Sequence, residues 1–204
     1  MGFESKQLFD AIRAIKGKPL TQGEVDRINA ALAGQVVATG KAGMKASAAC
    51  VALIHSFETL RLVAYKDPGS KNGLPITNGW GTTRDENGGP IPFGAKWDEA
   101  RADRLFARDL SAVEIGVNIL LDGAATTQAQ FDAMVCFAYN VGLDMDGDGK
   151  AEGLGDSTLL RKHKAGDYAG AAAEFPKWDK NDGKVMAGLT RRRAAERAMY
   201  EGKA

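Results

Sequence analysis

The stretch "HSFETLRLVAYKDPG", residues 55–69, decides how this chain is read. It holds two carboxylates, Glu58 and Asp67, with eight residues between them. Glu58 lies near the end of an apolar helical pattern. Val51, Ile54 and Phe57 recur at helical spacing and Leu53 and Leu60 widen the face, so a helix is expected from Met44 through "MKASAACVALIHSFETLR". "LVAYKD" then reads as a short strand, and "DPG" as a turn of type II geometry. A pair of acids across a cleft is what glycoside hydrolysis needs. One must stay protonated for the leaving oxygen, and the other ionised to activate water or stabilise a cationic sugar. A helix end beside apolar side chains suits the first role, and a polar turn near backbone N–H groups suits the second. Spacing alone decides little, because a chain with 26 acidic residues contains many such pairs.

Working outward, "LPITNGWGTT" and "GGPIPFG" are dense in Gly and Pro, so residues 62–95 form a small β-rich patch. The rest is helical. "WDEARADRLFARDLSAVEIGVNILLDG" predicts one long helix with Leu105, Leu110, Val113, Val117 and Leu120 among its apolar positions, and helices are expected at 127–141, 156–165, 167–174 and 190–201. The fold class is α+β, mainly α, with two lobes and a cleft between them.

Before this lies a separate pattern. Leu8, Phe9, Ile12 and Ile15 share one helical face, and Thr21 with Glu24 forms a capping box opening a second short helix. Residues 1–42 therefore read as an appended helical hairpin, and residues 43–204 as the main domain. The N-terminus lacks the layout of a secretion signal, and no apolar run approaches the ~18 residues that span a membrane. Synthesis in the cytoplasm, without a stable membrane anchor, is expected.

The chain has 204 residues and a net charge of +1, which argues against a nucleic-acid partner. Arg191, Arg192, Arg193 and Arg197 form a basic cluster, expected to be a solvated helix face, or else a contact for an anionic polymer. Cys50 and Cys136 sit in apolar patterns and are expected to be buried thiols. Cys50 lies in such a stripe and His55 and His163 stand far apart, which speaks against a cysteine peptidase or a zinc site.

"FETLRLVAYKD" followed by "ITNGWGTT" resembles the active-site segment of phage-type lysozymes, glycoside hydrolase family 24, which includes the T-even and lambdoid phage enzymes. "EARADRLFARDLSAVEIGVNILL" resembles that family's long interlobe helix, "FDAMVCFAYNVG" its cleft-lining helix, and "STLLRKHKAGDYAGAAAEFPKWDK" with "GLTRRRAAERAMY" its C-terminal helices. The likeness covers about residues 44–202. It implies a two-lobed lysozyme-like fold and a muramidase cleaving the β-1,4 bond between N-acetylmuramic acid and N-acetylglucosamine in bacterial peptidoglycan. Glu58 would be the general acid, and Asp67 and Thr77 would position the attacking water. Gly81, Thr83, Tyr139, Asn140 and Gly142 would contact sugar. The gap between Asp67 and Thr77 is longer than the family often has, so Thr82 and Thr83 are alternatives for the threonine. The family often has His where Thr82 stands. The implied setting is a monomer released to the periplasm through a holin lesion, lysing the host cell. A lytic transglycosylase and a non-catalytic wall- or calcium-binding module are the other readings.

"DMDGDGKAEGLGD", residues 144–156, spaces Asp144, Asp146 and Asp148 as in an EF-hand loop, with Lys150 and Glu152 at further ligand positions. The twelfth position is Gly155 rather than Glu, leaving Asp156 as a substitute. No cofactor is required for the implied chemistry, and a structural Ca²⁺ is the candidate ligand of this loop.

Overall fold

Ser47 opens the first helix of the computed structural model, which describes residues 43–67, 72–146 and 148–203. The expected hairpin at 1–42 and the Pro68–Gly69 turn lie outside those residues. Helix α1 spans Ala48–Phe57, with the Ser47 hydroxyl accepting from the Cys50 N–H. The expected start at Met44 is wrong, and the cause is non-local. Asn118 accepts from the Met44 N–H (3.0 Å), Glu114 from the Ala46 N–H (2.8 Å) and Asp132 from the Ser47 N–H (3.0 Å). Residues 44–47 are thereby held outside a helix, across the body of the protein.

Strand β1 (Arg61–Lys66) pairs antiparallel with β2 (Ile76–Gly79), and this register sets Tyr65 opposite Thr77. Further turns lead to α2 (Glu99–Leu121), capped by Asp98. Helix α3 (Gln128–Val141) starts with a reciprocal capping box between Thr127 and Gln130. Gln130 through Ala138 are all buried. A helix enclosed on every side is the centre of a core rather than a surface element. Helices α4 (Thr158–Lys164) and α5 (Tyr168–Ala172) follow, then a 3₁₀ turn at Phe175–Trp178. Strands β3 (Lys180–Asn181) and β4 (Lys184–Val185) form a small hairpin before α6 (Ala187–Tyr200). Sequence reasoning missed this hairpin and began the last helix at 190.

The apolar residues sort into two cores. The larger surrounds α3, with Phe131, Phe137, Ile54, Val117, Leu159 and Phe175. The smaller, in the β lobe, joins Ala64, Ile91, Trp97, Ala102 and Leu105. Trp80 packs against both, and α2 supplies residues to both, so it is the spine between the lobes. Cys50 and Cys136 are free, buried thiols. Burial pushes Cys50 up to about 12 and raises Cys136 as well, so neither is a nucleophile near neutral pH. Among the described residues, no helix is long and apolar enough to cross a membrane.

Candidate active site

Glu58 is the residue just past α1, where the backbone turns to an extended conformation (φ −95°, ψ 117°). Its N–H still bonds the Ile54 carbonyl at 3.0 Å, so the helix end fixes where the side chain starts. The expected surroundings are corrected here. Glu58 does not sit among apolar side chains alone, because its Oε1 accepts from Arg192 Nη1 at 2.6 Å. On the other side, a Cβ placed on Gly81 would lie 3.5 Å from Glu58 Oε2. Gly81 has φ +96°, a conformation that side-chain-bearing residues rarely adopt. One oxygen is therefore held by a cation while the other faces the turn after β2, at a position with no side chain.

Asp67 follows β1, with its N–H bonded to the Gly73 carbonyl at 3.2 Å. Strand pairing brings Thr77 across from Tyr65, two residues before Asp67. Thr77 donates weakly to the Pro75 carbonyl (3.4 Å), and its hydroxyl keeps lone pairs for a further donor. Glu58, Asp67, Thr77, Gly81, Thr83, Tyr139, Asn140 and Gly142 all line one cleft of about 450 Å³. Every residue expected to be catalytic or to contact sugar is thus brought to the same space.

The three threonines separate. Thr82 is buried and donates to Asp109 Oδ2 at 2.9 Å, while Thr77 and Thr83 line the cleft. Asp109 also receives Arg108 Nη2 at 2.7 Å, and Arg108 donates on to the backbone carbonyls of Arg84 and Asp85. This network ties the β lobe to α2. Burial pushes Asp109 above its ordinary value, with Arg108 and Thr82 pulling the other way. Tyr139 donates its hydroxyl to the Trp80 carbonyl at 3.2 Å. Burial, with Asp109 and Glu58 nearby, lifts its phenol well above the usual range, so it stays a neutral donor. His55 stacks flat on the Trp80 indole, with ring centres 3.9 Å apart.

The arginine cluster is the largest correction. Arg192 is 4% exposed and Arg193 fully buried, so these two do not belong to a solvated face, and only Arg191 and Arg197 do. Arg192 is also the functional neighbour that sequence reasoning missed. The signal was present. Arg192, Arg193 and Glu196 share helical spacing with Met199 and Tyr200, the buried face of α6.

The acidic loop keeps half of its expected ligands together. Carboxylate oxygens of Asp144, Asp146 and Asp156 lie within 4.8 Å of one another. Asp148 instead pairs with Lys150, whose N–H and Nζ it accepts at 2.8 and 3.2 Å. The Glu152 carboxylate does not join the cluster. A Cβ on Gly155 would fall 1.7 Å from the Asp144 carbonyl oxygen. The chain packs too closely at the twelfth position for a bidentate Glu. Asp144 Oδ2 already accepts the Glu152 and Gly153 N–H groups, at 2.9 and 3.0 Å. Three carboxylates fall short of the six to eight oxygens a calcium ion takes, so carbonyls or water would have to complete a site.

A small β lobe and a larger helical lobe, joined by a long helix, with acids on both walls of the cleft between them, define a lysozyme-like class of protein. A family model described as phage lysozyme matches residues 55–196, and the chain belongs to that family. It is 40% identical over 157 residues to the endolysin of Bacillus phage B103, covering 77% of this chain and 54% of that protein. It thus spans about half the length of that relative. Over 153 residues it is 33% identical to the endolysin of Acyrthosiphon pisum secondary endosymbiont phage 1, covering 73% of this chain and 92% of the other. Among solved structures, the endolysin from Escherichia coli O157:H7 phage FAHEc1 superposes with a TM-score of 0.67 at 31% identity, covering 80% of this chain and 98% of that one. The muramidase domain of SpmX from Asticcacaulis excentricus gives 0.62 at 33%, covering 76% and 97%.

Proposed function

We propose that the chain lyses bacterial peptidoglycan as an endolysin of the muramidase type, hydrolysing the β-1,4 bond between N-acetylmuramic acid and N-acetylglucosamine. The observation that carries the reading is the arrangement of Glu58. Arg192 holds one carboxyl oxygen, and the other faces the turn at Gly81, in a cleft also lined by Asp67 and Thr77. Glu58 serves as general acid to the leaving oxygen. Asp67 and Thr77 hold the water that attacks from the opposite face, in a single displacement with inversion. Thr83, Tyr139, Asn140, Gly81 and Gly142 form the walls that receive the sugars. All the groups that move or hold a proton are protein side chains, so the reaction requires no metal. Calcium at Asp144, Asp146 and Asp156 would stiffen the loop; a melting temperature unmoved by millimolar Ca²⁺ would remove it from the reading.

The phage relatives named as endolysins support a role in host lysis. In that role the protein acts as a monomer on the periplasmic wall, after release through a holin lesion. Residues 1–42 form a wall-binding module. Their deletion lowers affinity for walls without abolishing cleavage, and unchanged affinity would reject that role. The central experiment is digestion of purified peptidoglycan by wild type and Glu58→Gln, with mass analysis of the fragments. Reducing-end muropeptides from the wild type alone are expected. Anhydro ends would move the reading to a lytic transglycosylase, and cleavage by the Gln variant would end the role of Glu58.

A further inference from the structure

Helix α6 turns three charged side chains inward, and they meet at one oxygen. Glu196 is fully buried, and its Oε1 accepts from Arg192 Nε at 3.1 Å and Arg193 Nη2 at 2.8 Å. The Cys136 thiol is the third donor, at 3.7 Å. The second oxygen, Oε2, has no hydrogen-bond partner among the described residues. Each arginine then reaches onward to the cleft. Arg192 Nη1 donates to Glu58 Oε1 at 2.6 Å, and Arg193 Nη2 to Asn140 Oδ1 at 2.9 Å. Stability is a poor account of such a cluster. Buried ion pairs lose most of their attraction to desolvation, and apolar residues of similar volume often serve as well. What the cluster does supply is aim. One buried carboxylate orients two rigid guanidinium forks, and both end on residues of the cleft.

We propose that Glu196 is a positioning residue for wall cleavage: it holds Arg192 against Glu58 in a charge-balanced cluster, and through Arg193 it fixes Asn140. The inference rests on Glu58 being the general acid. With both carboxyls ionised, Glu58 and Glu196 balance the guanidiniums of Arg192 and Arg193; with Glu58 protonated, as its role requires, the cluster carries one positive charge. The other titratable or charged groups around Glu58 are Tyr65, Asp67 and Arg84 from the β lobe, the paired Arg108 and Asp109 from α2, Tyr139 from α3 and His55 from α1. Around Glu196 they are Cys136 and, further off, Cys50. The thiols and phenols are all raised by burial and stay neutral, so they leave the balance unchanged.

The balance gives the test a sign. Glu196→Gln keeps the shape and the acceptor oxygen but leaves one surplus positive charge near Glu58. The alkaline limb of the pH–activity profile, where an acid must still hold its proton, should move down by about one pH unit. Arg193→Met leaves one surplus negative charge, and the limb should move up by a similar amount. The double variant removes one charge of each sign and should return the limb to its wild-type place. A role in folding alone would lower activity at every pH and leave the limbs where they are, which would overturn the proposal. If Glu196→Gln does not fold by circular dichroism, Arg193→Met and the double variant carry the same comparison. The two failures are separable. Cleavage that survives Glu58→Gln, or no cleavage by wild type, defeats the acid assignment and this inference with it. Cleavage that depends on Glu58 while the limbs stay fixed defeats only Glu196.

Discussion

Two acidic constellations lie near the C-terminal end of α3, one in the cleft and one in the loop that follows, and their acids are satisfied in different ways. At the helix's approach to the cleft, Glu58 is answered by a buried guanidinium carried on α6, 134 residues further along the chain. Beyond its C-terminal end, Asp144 and Asp156 are answered by backbone N–H groups of their own loop, from Glu152, Gly153 and Gly149. In sequence both are spaced acids, one pair with eight residues between its members and one series at alternate positions. The difference lies in the partner. A buried charge carrier placed by the tertiary fold leaves a carboxylate with one oxygen for chemistry. Local amides consume the carboxylate in shaping a turn.

The sharpest way to break that comparison is to remove the cation. Arg192→Met keeps the length and the contact with the Phe57 ring but strands Glu58 and leaves Glu196 to Arg193 alone. Breaking a buried pair from one side costs about 3–5 kcal/mol. For a protein of this size that lowers Tm by at least roughly 6 °C. Cleavage at neutral pH should also fall by about a hundredfold, because a misaimed group loses that much. A variant with wild-type Tm and activity would mean that Arg192 is incidental to Glu58.

The contrast also marks how far the sequence could be read. The strands around Asp67 and Thr77, the long α2 and the enclosed α3 follow from local patterns, and all eight expected catalytic and sugar-contacting residues reach one cleft. What depends on a distant partner was harder to read. The α1 start fails because Glu114, Asn118 and Asp132 capture the preceding backbone. Arg192 fails because a run of three arginines looks solvated until its periodicity is compared with Met199 and Tyr200. The β3–β4 hairpin was legible and was missed. Asp182 and Gly183 both have positive φ (48° and 76°), and a D–G pair between two short segments is the strongest short-range sign of such a turn.

The loop side of the comparison is tested at Gly155. Its added Cβ meets the Asp144 carbonyl oxygen, a backbone atom with no freedom to swing away. Gly155→Ala should cost about 1–3 kcal/mol, the usual range for an overpacked site, and lower Tm by roughly 2–12 °C. Thermal melting checks this. An unchanged Tm would mean that the loop yields easily and that its acids do not depend on the backbone geometry.

The smallest effect belongs to a third kind of acid, intermediate between the two. Glu174 accepts from Lys162 Nζ at 2.7 Å and Lys177 Nζ at 2.8 Å, two long side chains that reach in from solvent. Hydrogen bonds from these lysines, first Lys162 and then Lys177, hold its carboxyl below the ordinary value of 4.5. The sign follows from linkage. The unfolded chain takes up the proton at a higher pH than the folded one, so the contribution is present above the unfolded value and is lost as pH falls through the folded one. Partly exposed pairs of this kind contribute under about 1 kcal/mol. Wild type should therefore lose less than about 2–4 °C of Tm to this group between pH 5 and pH 3, a loss that Glu174→Gln would not share. Adding salt should shrink the difference between the two proteins, since charges with open access to solvent are screened. The Glu58–Arg192 pair, whose cation is buried, should respond less to the same salt. Equal salt sensitivity at the two pairs would erase the distinction between a cation supplied by the core and cations supplied by the surface.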